Sequence, residues 1–334
     1  MLKHGGRLLS ASARYGIPIH EWLDLSTGIS PWAYPVLPVP ADIWRRLPED
    51  EDALPVAAAS YYGSREDCLL PVAGSQAAIQ VLPRILRQGT ITMLTPAYAE
   101  HEHAWTQNGH TVVSADDKES LLHAAKSTRH VLLCNPNNPT ATSWSRDELE
   151  TICSHVERNG GTLIIDEAFM DATPEQSFID QVSTRSVVVL RSLGKFFGLA
   201  GARVGFLFAE RHIIDAAREQ LGPWTIAGPC RLAATAALND FDWQAEQQKR
   251  LQSASKELCA VLEACGFSPS GRTDFFAWVR LANARAVHNQ LCSDGILTRL
   301  FEAPESLRFG LPGTDEDLAK LQTALQTRAY SKTP

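Results

Sequence analysis

The chain has 334 residues, a length that favours two domains over a single compact core. Hydrophobic residues make up 44% and charged residues 21%, as in an ordinary globular protein. The net charge of −7, with no basic stripe, argues against nucleic acid as a partner.

Cysteine usage and hydropathy indicate the compartment. The seven cysteines are scattered, with no CxxC pair and no Cys/His spacing typical of a metal site. An odd, unpatterned set favours reduced thiols in a cytoplasmic protein. The N-terminus lacks the long apolar segment of a signal peptide. No run of about 18 apolar residues predicts a membrane span. We therefore expect a cytoplasmic protein with neither a metal site nor a membrane partner.

The N-terminal region is predicted to be largely irregular. Residues 7–15 predict one short helix, which ends at Gly16. Residues 23–31, LDLSTGISP, predict an extended segment that closes in a turn. Residues 31–55 hold many of the prolines, so we expect a loop or an ordered arm there rather than a core element.

From about Ala57, short apolar strands alternate with helices. Strands are predicted at residues 91–95, 111–114, 130–134, 162–165, 187–190 and 204–208. Helices are predicted at residues 75–86, 97–108, 120–125, 145–159 and 210–221. Ser145 and Glu148 form a capping-box pattern at the start of one of them. The alternation predicts an α/β fold with a mostly parallel central sheet, helices on both faces, and ligands at the carboxyl ends of the strands.

The C-terminal third is predicted to be a helical stretch followed by a smaller α/β unit. Helices dominate residues 228–265, with a break near Asp240. The smaller unit has strands at residues 275–281, 296–300 and 306–311, and helices at 284–293 and 315–325. We expect an N-terminal arm (1–45) that packs with the small domain, a large domain (46–225) and a C-terminal small domain (226–334).

The segment SLGKFFGLAGAR, residues 192–203, carries one lysine in a polar turn after an apolar strand. If Lys195 is partly desolvated there, its pKa falls and its free amine becomes a nucleophile for carbonyls. Ser192 and Arg203 flank it and are suited to bind one phosphate. Aldehyde capture beside a phosphate site is what pyridoxal phosphate requires. A surface lysine with a structural arginine is the plainer interpretation of this segment by itself.

Polar residues follow several other predicted strands. Asp166 ends a buried strand, where a carboxylate is costly unless paired, and a pyridinium nitrogen is a suitable partner. The two Asn-Pro steps of residues 135–140, NPNNPT, form a fixed turn that can aim an amide at a ligand. Residues 74–76, GSQ, begin a helix whose N–H groups favour a phosphate. Tyr98 has a ring that can stack on a flat cofactor. Each of these features alone also fits a plain turn, cap or core residue.

Three glycines near the lysine turn have a spacing that argues against a nicotinamide dehydrogenase. Gly198, Gly201 and Gly205 do not follow the GxGxxG pattern. They also follow a lysine turn instead of opening the first βαβ unit of the chain.

The ordered set NPNNPT, LIIDEAF and SLGKFFGLAGARVG resembles the fold type I pyridoxal phosphate enzymes of the aminotransferase class I/II superfamily. The likeness covers nearly the whole chain and implies a homodimer with its sites at the subunit interface. The cofactor residues that it implies are Lys195 as the Schiff-base lysine, Asp166 at the pyridine nitrogen, Asn138 at the ring 3′-oxygen, Ser192, Arg203, Ser75 and Gln76 at the phosphate, and Tyr98 stacked on the ring.

Two branches of the superfamily are similar to this chain: the histidinol-phosphate aminotransferases and the threonine-phosphate decarboxylases of cobalamin biosynthesis. The segment His4-Gly5-Gly6, the LDLSTGISP segment, Phe169 in DEAF, and residues 295–299 followed by RFGLPG resemble the decarboxylases. This branch implies decarboxylation of L-threonine O-3-phosphate to (R)-1-amino-2-propanol O-2-phosphate and CO₂. A histidinol-phosphate-type aminotransferase and a non-catalytic partner protein of the cobalamin pathway are the alternatives.

The same resemblance implies the residues that bind the substrate. Arg308 matches the arginine that grips the α-carboxylate, a task that suits a bidentate guanidinium. The other implied substrate residues are His4, Arg299, Asn138 and Gly28, with Arg7 and Arg146 as further candidates for the substrate phosphate.

The chain departs from the family pattern at three places. Ala141 stands where the family has the glycine of NPTG, and Gly194 stands where a serine or threonine commonly precedes the lysine. Leu47 stands where a tyrosine usually reaches the cofactor phosphate of the partner subunit. That contact is either lost or supplied by Tyr61 or Tyr62.

Overall fold

The computed structural model describes residues 4–36 and 38–326, and these divide into two compact units. One unit takes in the described residues of Met1–Trp32, Pro139–Ala141 and Glu246–Pro334, and the other those of Ala33–Asn138 and Thr142–Ala245. Residues 226–245, which the sequence prediction placed in the C-terminal domain, belong to the second unit in this division. The domain boundaries themselves stay a prediction.

The described residues form twelve strands and twelve α-helices. The strands are β1 (Leu23–Leu25), β2 (Leu69–Val72), β3 (Thr90–Leu94), β4 (Thr111–Ala115), β5 (His130–Cys134), β6 (Leu163–Asp166), β7 (Val187–Ser192), β8 (Gly205–Phe208), β9 (Gly271–Thr273), β10 (Phe276–Arg280), β11 (Ile296–Glu302) and β12 (Glu305–Gly310). The helices are α1 (Leu8–Tyr15), α2 (Ala41–Arg45), α3 (Ala53–Tyr62), α4 (Ser75–Ile85), α5 (Ala99–Gln107), α6 (Lys118–Ala124), α7 (Arg146–Arg158), α8 (Arg211–Leu221), α9 (Gly228–Asn239), α10 (Phe241–Ala264), α11 (Ala284–Ser293) and α12 (Asp315–Gln326). None of the described helices combines the length and hydrophobicity needed to cross a bilayer.

The larger sheet has seven strands in the order β2-β8-β7-β6-β5-β3-β4. Strands β3 to β7 pair in parallel, and β8 runs antiparallel to both of its neighbours. Every residue of β5 and β6 is buried, which is why these strands are continuous apolar runs without alternation. The α/β fold with a mostly parallel central sheet is confirmed.

Local signals explain where the helices of this unit begin. Ser145 accepts a hydrogen bond from the backbone of Glu148, whose side chain accepts one in return, so the predicted capping box is confirmed. Helix α6 begins earlier than predicted because Asp117, not Ser120, is the N-cap, and Ser120 closes the box from the third helical position. The region predicted as a loop or an arm contains helix α2 and the start of α3, which Asp52 caps.

The smaller sheet has five strands in the order β1-β11-β12-β10-β9. The N-terminal strand β1 pairs in parallel with β11, so Leu23 lies opposite Ile296. The remaining strand pairs are antiparallel. Ala11 of α1 and Trp22 pack with Cys292 and Leu297 in one apolar cluster, which attaches the N-terminal segment to this sheet.

Candidate active site

The carboxyl ends of β5, β6 and β7 bring the predicted cofactor residues of the larger-sheet unit to one edge. Asp166 is the last residue of β6 and pairs with Cys134 at the end of β5. Asn138 follows β5, and Lys195 follows β7. Parallel strands place their carboxyl ends at the same edge of a sheet, so these three residues lie at one edge of the larger sheet.

Asp166 is held by two hydrogen bonds in a buried position. Its Oδ2 accepts from Nε2 of His101 at 2.8 Å, and its Oδ1 accepts from the backbone N of Ala168 at 3.1 Å. The sequence reasoning missed His101. The available signal was its spacing, because His101 lies three residues after Tyr98 and so shares a face with it where α5 begins.

The thiol of Cys134 lies within 4.8 Å of the ligand atoms of His101 and Asp166. Burial, with Asp166 nearby, raises the pKa of Cys134, so it remains a neutral thiol. Its two hydrogen bonds hold the Asp166 carboxylate in a buried, low-dielectric position. A cationic ring nitrogen placed there would form an ion pair with it.

Lys195 lies in the half-buried turn after β7. Its Nζ is 5.4 Å from the centroid of the Phe169 ring, in a cation–π arrangement. Gly194 explains one departure from the family pattern, because a Cβ there would lie only 3.0 Å from Cα of Ala200. A larger side chain before the lysine would therefore require residue 200 to shift by a few tenths of an ångström.

A cradle for an anion forms where α4 begins. Gly74, the N-cap of α4, has φ 72°, and a Cβ placed on it would lie 2.6 Å from a guanidinium nitrogen of Arg203. A Cβ on Gly205 would overlap the backbone N of Ser75. These two glycines let the helix N-terminus, the guanidinium and the end of β7 come together. Free N–H groups, the helix dipole and an arginine are the donor set that binds phosphate.

Ser192 is beside this cradle, since it pairs with Gly205 in the β7–β8 ladder. Its Oγ accepts from the backbone N of Gly194 at 3.3 Å, which leaves the hydroxyl proton available to a ligand. Cradle, lysine and buried carboxylate fit pyridoxal phosphate, which carries a phosphate, an aldehyde and a pyridine nitrogen.

Tyr98 and Gln76 hold each other in place. The hydroxyl of Tyr98 donates to Oε1 of Gln76 at 3.3 Å, and Nε2 of Gln76 donates to Glu100 at 2.8 Å. The Tyr98 ring meets the His101 ring edge-on at 5.9 Å. Burial raises the pKa of Tyr98 to about 12, so its hydroxyl stays protonated. The roles of Gln76 at the phosphate and of Tyr98 stacked on the cofactor stay predictions.

The NPNNPT turn uses its asparagines differently. Asn135 bonds Trp144 through both its amide oxygen and its amide nitrogen, and Asn137 donates to the carbonyl of Pro96 at 2.9 Å. Both amides therefore shape the turn. Asn138 is half-buried, and its assignment to the cofactor and substrate stays a prediction. Ala141 adopts φ 62°, so it takes the left-handed conformation that the family gives to glycine.

A buried ionic cluster that the sequence reasoning missed ties the ends of β6 and β7 together. Nη2 of Arg191 lies 3.0 Å from Glu167 Oε2, and Nη1 lies 3.2 Å from Asp171 Oδ1. Burial raises the pKa of Glu167 and raises that of Asp171 to about 6. Glu167 directly follows Asp166 in the chain, so the cluster braces the strand end that carries that carboxylate.

The two tyrosines of α3 pack inward against this cluster. The guanidinium of Arg191 lies 5.1 Å from the centroid of the Tyr62 ring, and Tyr61 packs edge-on against Phe197 at 5.7 Å. Leu47, in contrast, is 64% exposed. The tyrosines are thus used inside the unit, and the apolar Leu47 is at its surface.

In the smaller-sheet unit, a cavity of about 260 Å³ has six basic residues in its lining, four of them arginines. These are His4, Arg7, Arg14, Arg285, His288 and Arg299. Glu302 is the only acidic residue that the described lining contains. The structure thus brings the predicted phosphate ligands His4, Arg7 and Arg299 together. Such a lining selects an anion.

Four of the predicted substrate residues do not line this cavity: Arg146, Gly28, Asn138 and Arg308. Arg146 belongs to the other unit, where it forms ion pairs with Asp180 and Glu150. Gly28 is buried in the segment that follows β1 and is not part of the cavity lining. Its contact with substrate stays a prediction.

Arg308 is buried on β12, directly opposite Arg299 on β11. Its Nη2 donates to the carbonyl of Ser26 at 2.9 Å, and its guanidinium lies 5.0 Å from the centroid of the Phe276 ring. Burial, together with the charge of Arg299, lowers the pKa of Arg308. A bound anion would relieve this penalty, because it adds a negative charge beside the buried Arg308 and the half-buried Arg299.

Comparison with known proteins agrees with this geometry. The sequence profile described as "Aminotransferase class I and II" matches residues 48–325. The chain is 47% identical to the threonine-phosphate decarboxylase of Pseudomonas aeruginosa over 97% of both chains, and 37% identical to that of a Sinorhizobium species over 92% of both. The histidinol-phosphate aminotransferase of Sinorhizobium meliloti, solved in complex with pyridoxal-5′-phosphate, superposes with a TM-score of 0.82 at 20% identity and covers 98% of each chain. That likeness shows the fold alone.

Proposed function

Because the chain belongs to the aminotransferase class I and II family, on the branch of the threonine-phosphate decarboxylases, we propose that it is a pyridoxal phosphate-dependent decarboxylase. Its substrate is L-threonine O-3-phosphate, and its products are CO₂ and (R)-1-amino-2-propanol O-2-phosphate, the aminopropanol precursor of cobalamin. Apart from the relationship to these decarboxylases, the assignment of the substrate rests on one observation, the arginine-rich cavity lined by His4 and Arg299. A substrate phosphate is the group that such a lining would bind.

Five groups of the larger-sheet unit would hold the cofactor. Lys195 would bind its aldehyde carbon, Asp166 would pair with its pyridine nitrogen, and Ser192, Arg203 and the backbone amide of Ser75 would bind its phosphate. When bound, pyridoxal phosphate supplies an electron-accepting ring that takes up the electron pair left by the departing carboxylate. The hydrogen bond from His101 keeps the Asp166 carboxylate in place, so its negative charge favours a protonated ring nitrogen.

Lys195 would have a second role in the reaction. In its protonated form, its side chain would be the acid that delivers a proton to the substrate Cα after CO₂ has left. The neighbouring Phe169 ring covers one side of this amine and has no hydroxyl that would compete for the proton. Asn138 is left as the residue proposed for the ring 3′-oxygen.

The substrate presents two anionic groups, and the smaller-sheet unit offers two sets of cations. Arg308 would bind the carboxylate in the bidentate manner that a planar guanidinium allows. His4, Arg7 and Arg299 would bind the phosphate dianion. A decarboxylase requires both contacts, because the carboxylate must be held at a defined angle while the phosphate anchors the rest of the molecule.

The decisive assay is CO₂ release from L-threonine O-3-phosphate without any 2-oxo acid. We expect turnover by a yellow protein, with the cofactor fixed to Lys195 by borohydride and located by peptide mass mapping. Turnover that requires 2-oxoglutarate would establish the aminotransferase alternative. A protein that binds cofactor and substrate but does not convert the substrate would establish the non-catalytic alternative. The presence of Lys195, Asp166 and Arg203 disfavours that alternative.

A pair of variants tests the phosphate contact. Arg299→Gln should raise KM for the phosphorylated substrate about tenfold or more, because a charge-assisted hydrogen bond is worth about 1.5–3 kcal/mol. Arg285→Gln is the matched control: Arg285 lines the same cavity, but its Nη2 is already paired with Glu302 at 2.6 Å. Equal effects of the two variants would contradict the assignment.

The proposal includes a homodimer in the cytoplasm. Helix α9 packs against both α2 and α3, and this part of the larger-sheet unit exposes several large apolar side chains. They are Trp44, Leu47, Val56, Leu232 and Phe241. Exposed apolar groups of this size favour a subunit interface. Sedimentation of the Trp44→Glu variant should show monomers where the wild type shows dimers. The seven free cysteines are consistent with a reducing compartment.

A further inference from the structure

The N-terminal segment is attached to the loop after β1 through the side chain of Ser26. The backbone N of Gly6 donates to Ser26 Oγ at 2.7 Å. That hydroxyl in turn donates to Asp24 Oδ1 at 2.6 Å, and Asp24 Oδ1 also accepts from the Ser26 backbone N at 2.9 Å. Ser26 is 2% exposed, so its hydroxyl cannot exchange these partners for bulk water. The side chain of Ser26 therefore sets the position of Gly6 and of the two described residues before it, His4 and Gly5.

The backbone of the same residue contacts the buried arginine. The carbonyl of Ser26 accepts from Nη2 of Arg308 at 2.9 Å. Gly5 lies against this carbonyl so closely that a Cβ on Gly5 would overlap it. Gly6 has φ 73°, a conformation that L side chains rarely adopt. The Gly5-Gly6 pair is thus required for the chain to pass Ser26 and bring His4 into the cavity, which Ser26 itself also lines.

We propose that Ser26 is a positioning residue that joins two anion-binding arms, an inference that rests on the function proposed above. Its hydroxyl orients the His4 arm, which binds the substrate phosphate. Its carbonyl orients Arg308, which binds the substrate carboxylate. One residue thereby sets the separation at which a ligand must carry its two negative charges. Ligands with both charges at that separation, such as phosphorylated α-amino acids with a short side chain, are selected over those with only one.

The two functions of Ser26 are separable by mutation. Ser26→Ala removes the hydroxyl but keeps the carbonyl, so only the His4 arm loses its anchor. Gly5→Ala forces a methyl group against the carbonyl, so both arms shift. Ser12→Ala is the matched control: its hydroxyl donates to the carbonyl of Ile17 at 2.7 Å in the same N-terminal region, and Ser12 does not line the cavity.

Calorimetric titration of each holoenzyme with L-threonine O-3-phosphate, inorganic phosphate and L-threonine tests the proposal. For Ser26→Ala we expect about fivefold to tenfold weaker binding of the two phosphate-bearing ligands, the effect of one or two lost hydrogen bonds, and L-threonine binding within about twofold of wild type. Gly5→Ala should weaken all three ligands. Ser12→Ala should weaken none, and all variants should retain the visible spectrum of the bound cofactor.

The proposal would be overturned if Ser26→Ala weakened the binding of L-threonine as much as the binding of phosphate. It would also be overturned if Ser26→Ala, like Ser12→Ala, weakened the binding of none of the three ligands. The affinities for inorganic phosphate and L-threonine report on Ser26 whether or not CO₂ is released. Absence of decarboxylation in the wild type would therefore count against the proposed function and not against the role of Ser26.

Discussion

Gly74→Ala isolates the contribution of the anion cradle in the larger-sheet unit. Gly74 has φ 72° and ψ 157°, a backbone conformation that is almost restricted to glycine. The added Cβ would lie 2.6 Å from Nη2 and 3.1 Å from Cζ of Arg203. Because the guanidinium is at the end of a flexible side chain, we expect the Arg203 side chain to move away while the backbone stays in place. The substitution therefore removes Arg203 from the cradle and strains the helix N-terminus.

The expected magnitude follows from these two effects. Holding an alanine in this conformation costs about 1–3 kcal/mol of the free energy of unfolding. Loss of a charge-assisted hydrogen bond to the cofactor phosphate costs about 1.5–3 kcal/mol of binding free energy. The second figure corresponds to a dissociation constant for pyridoxal phosphate that is about 10-fold to 150-fold higher. Absorbance titration of the apoprotein with the cofactor measures this constant, and urea unfolding measures the stability.

Gly63→Ala is the matched control. Gly63 has φ 67°, so alanine is strained there too, but a Cβ on Gly63 meets no atom within 4 Å. Both variants should lose stability, whereas only Gly74→Ala should lose cofactor affinity. If the two variants bind pyridoxal phosphate equally well, Arg203 and the start of α4 do not form its phosphate site.

Three further outcomes are expected. His101→Phe removes the hydrogen bond to Asp166 and should weaken cofactor binding about tenfold or more in the same absorbance titration; unchanged affinity would contradict its role. Burial raises the pKa of Asp171 from 3.8 to about 6, so its contribution to stability is complete below the lower value and is lost as the pH rises through the upper one. Urea unfolding of Asp171→Asn between these pH values should show a flatter pH dependence than the wild type, and parallel curves would refute this. Arg231→Met removes the buried Arg231 from its ion pair with the half-exposed Asp52 and should cost about 1.5–3 kcal/mol of unfolding free energy; a loss below about 0.5 kcal/mol would show that the pair contributes little.

Features that depend on near neighbours in the chain were predictable from the sequence. The capping box of Ser145 and Glu148, the helix break near Asp240 and the apolar strands β5 to β7 all appear where they were expected. Helix caps and periodic burial are decided within a few residues, so the linear order contains the necessary information. The motif order was also sufficient to identify the family, because each motif follows a particular strand.

Features decided between distant residues required the tertiary structure. His101 bonds Asp166 across 65 positions, and Arg308 bonds the carbonyl of Ser26 across 282. Sequence reasoning proposed Arg146 as a phosphate ligand, but the fold pairs this side chain with Asp180. Residue type and local pattern limit what a side chain can bind. Which partner it meets depends on how strands far apart in the chain are ordered in the sheet, and no local propensity encodes that order.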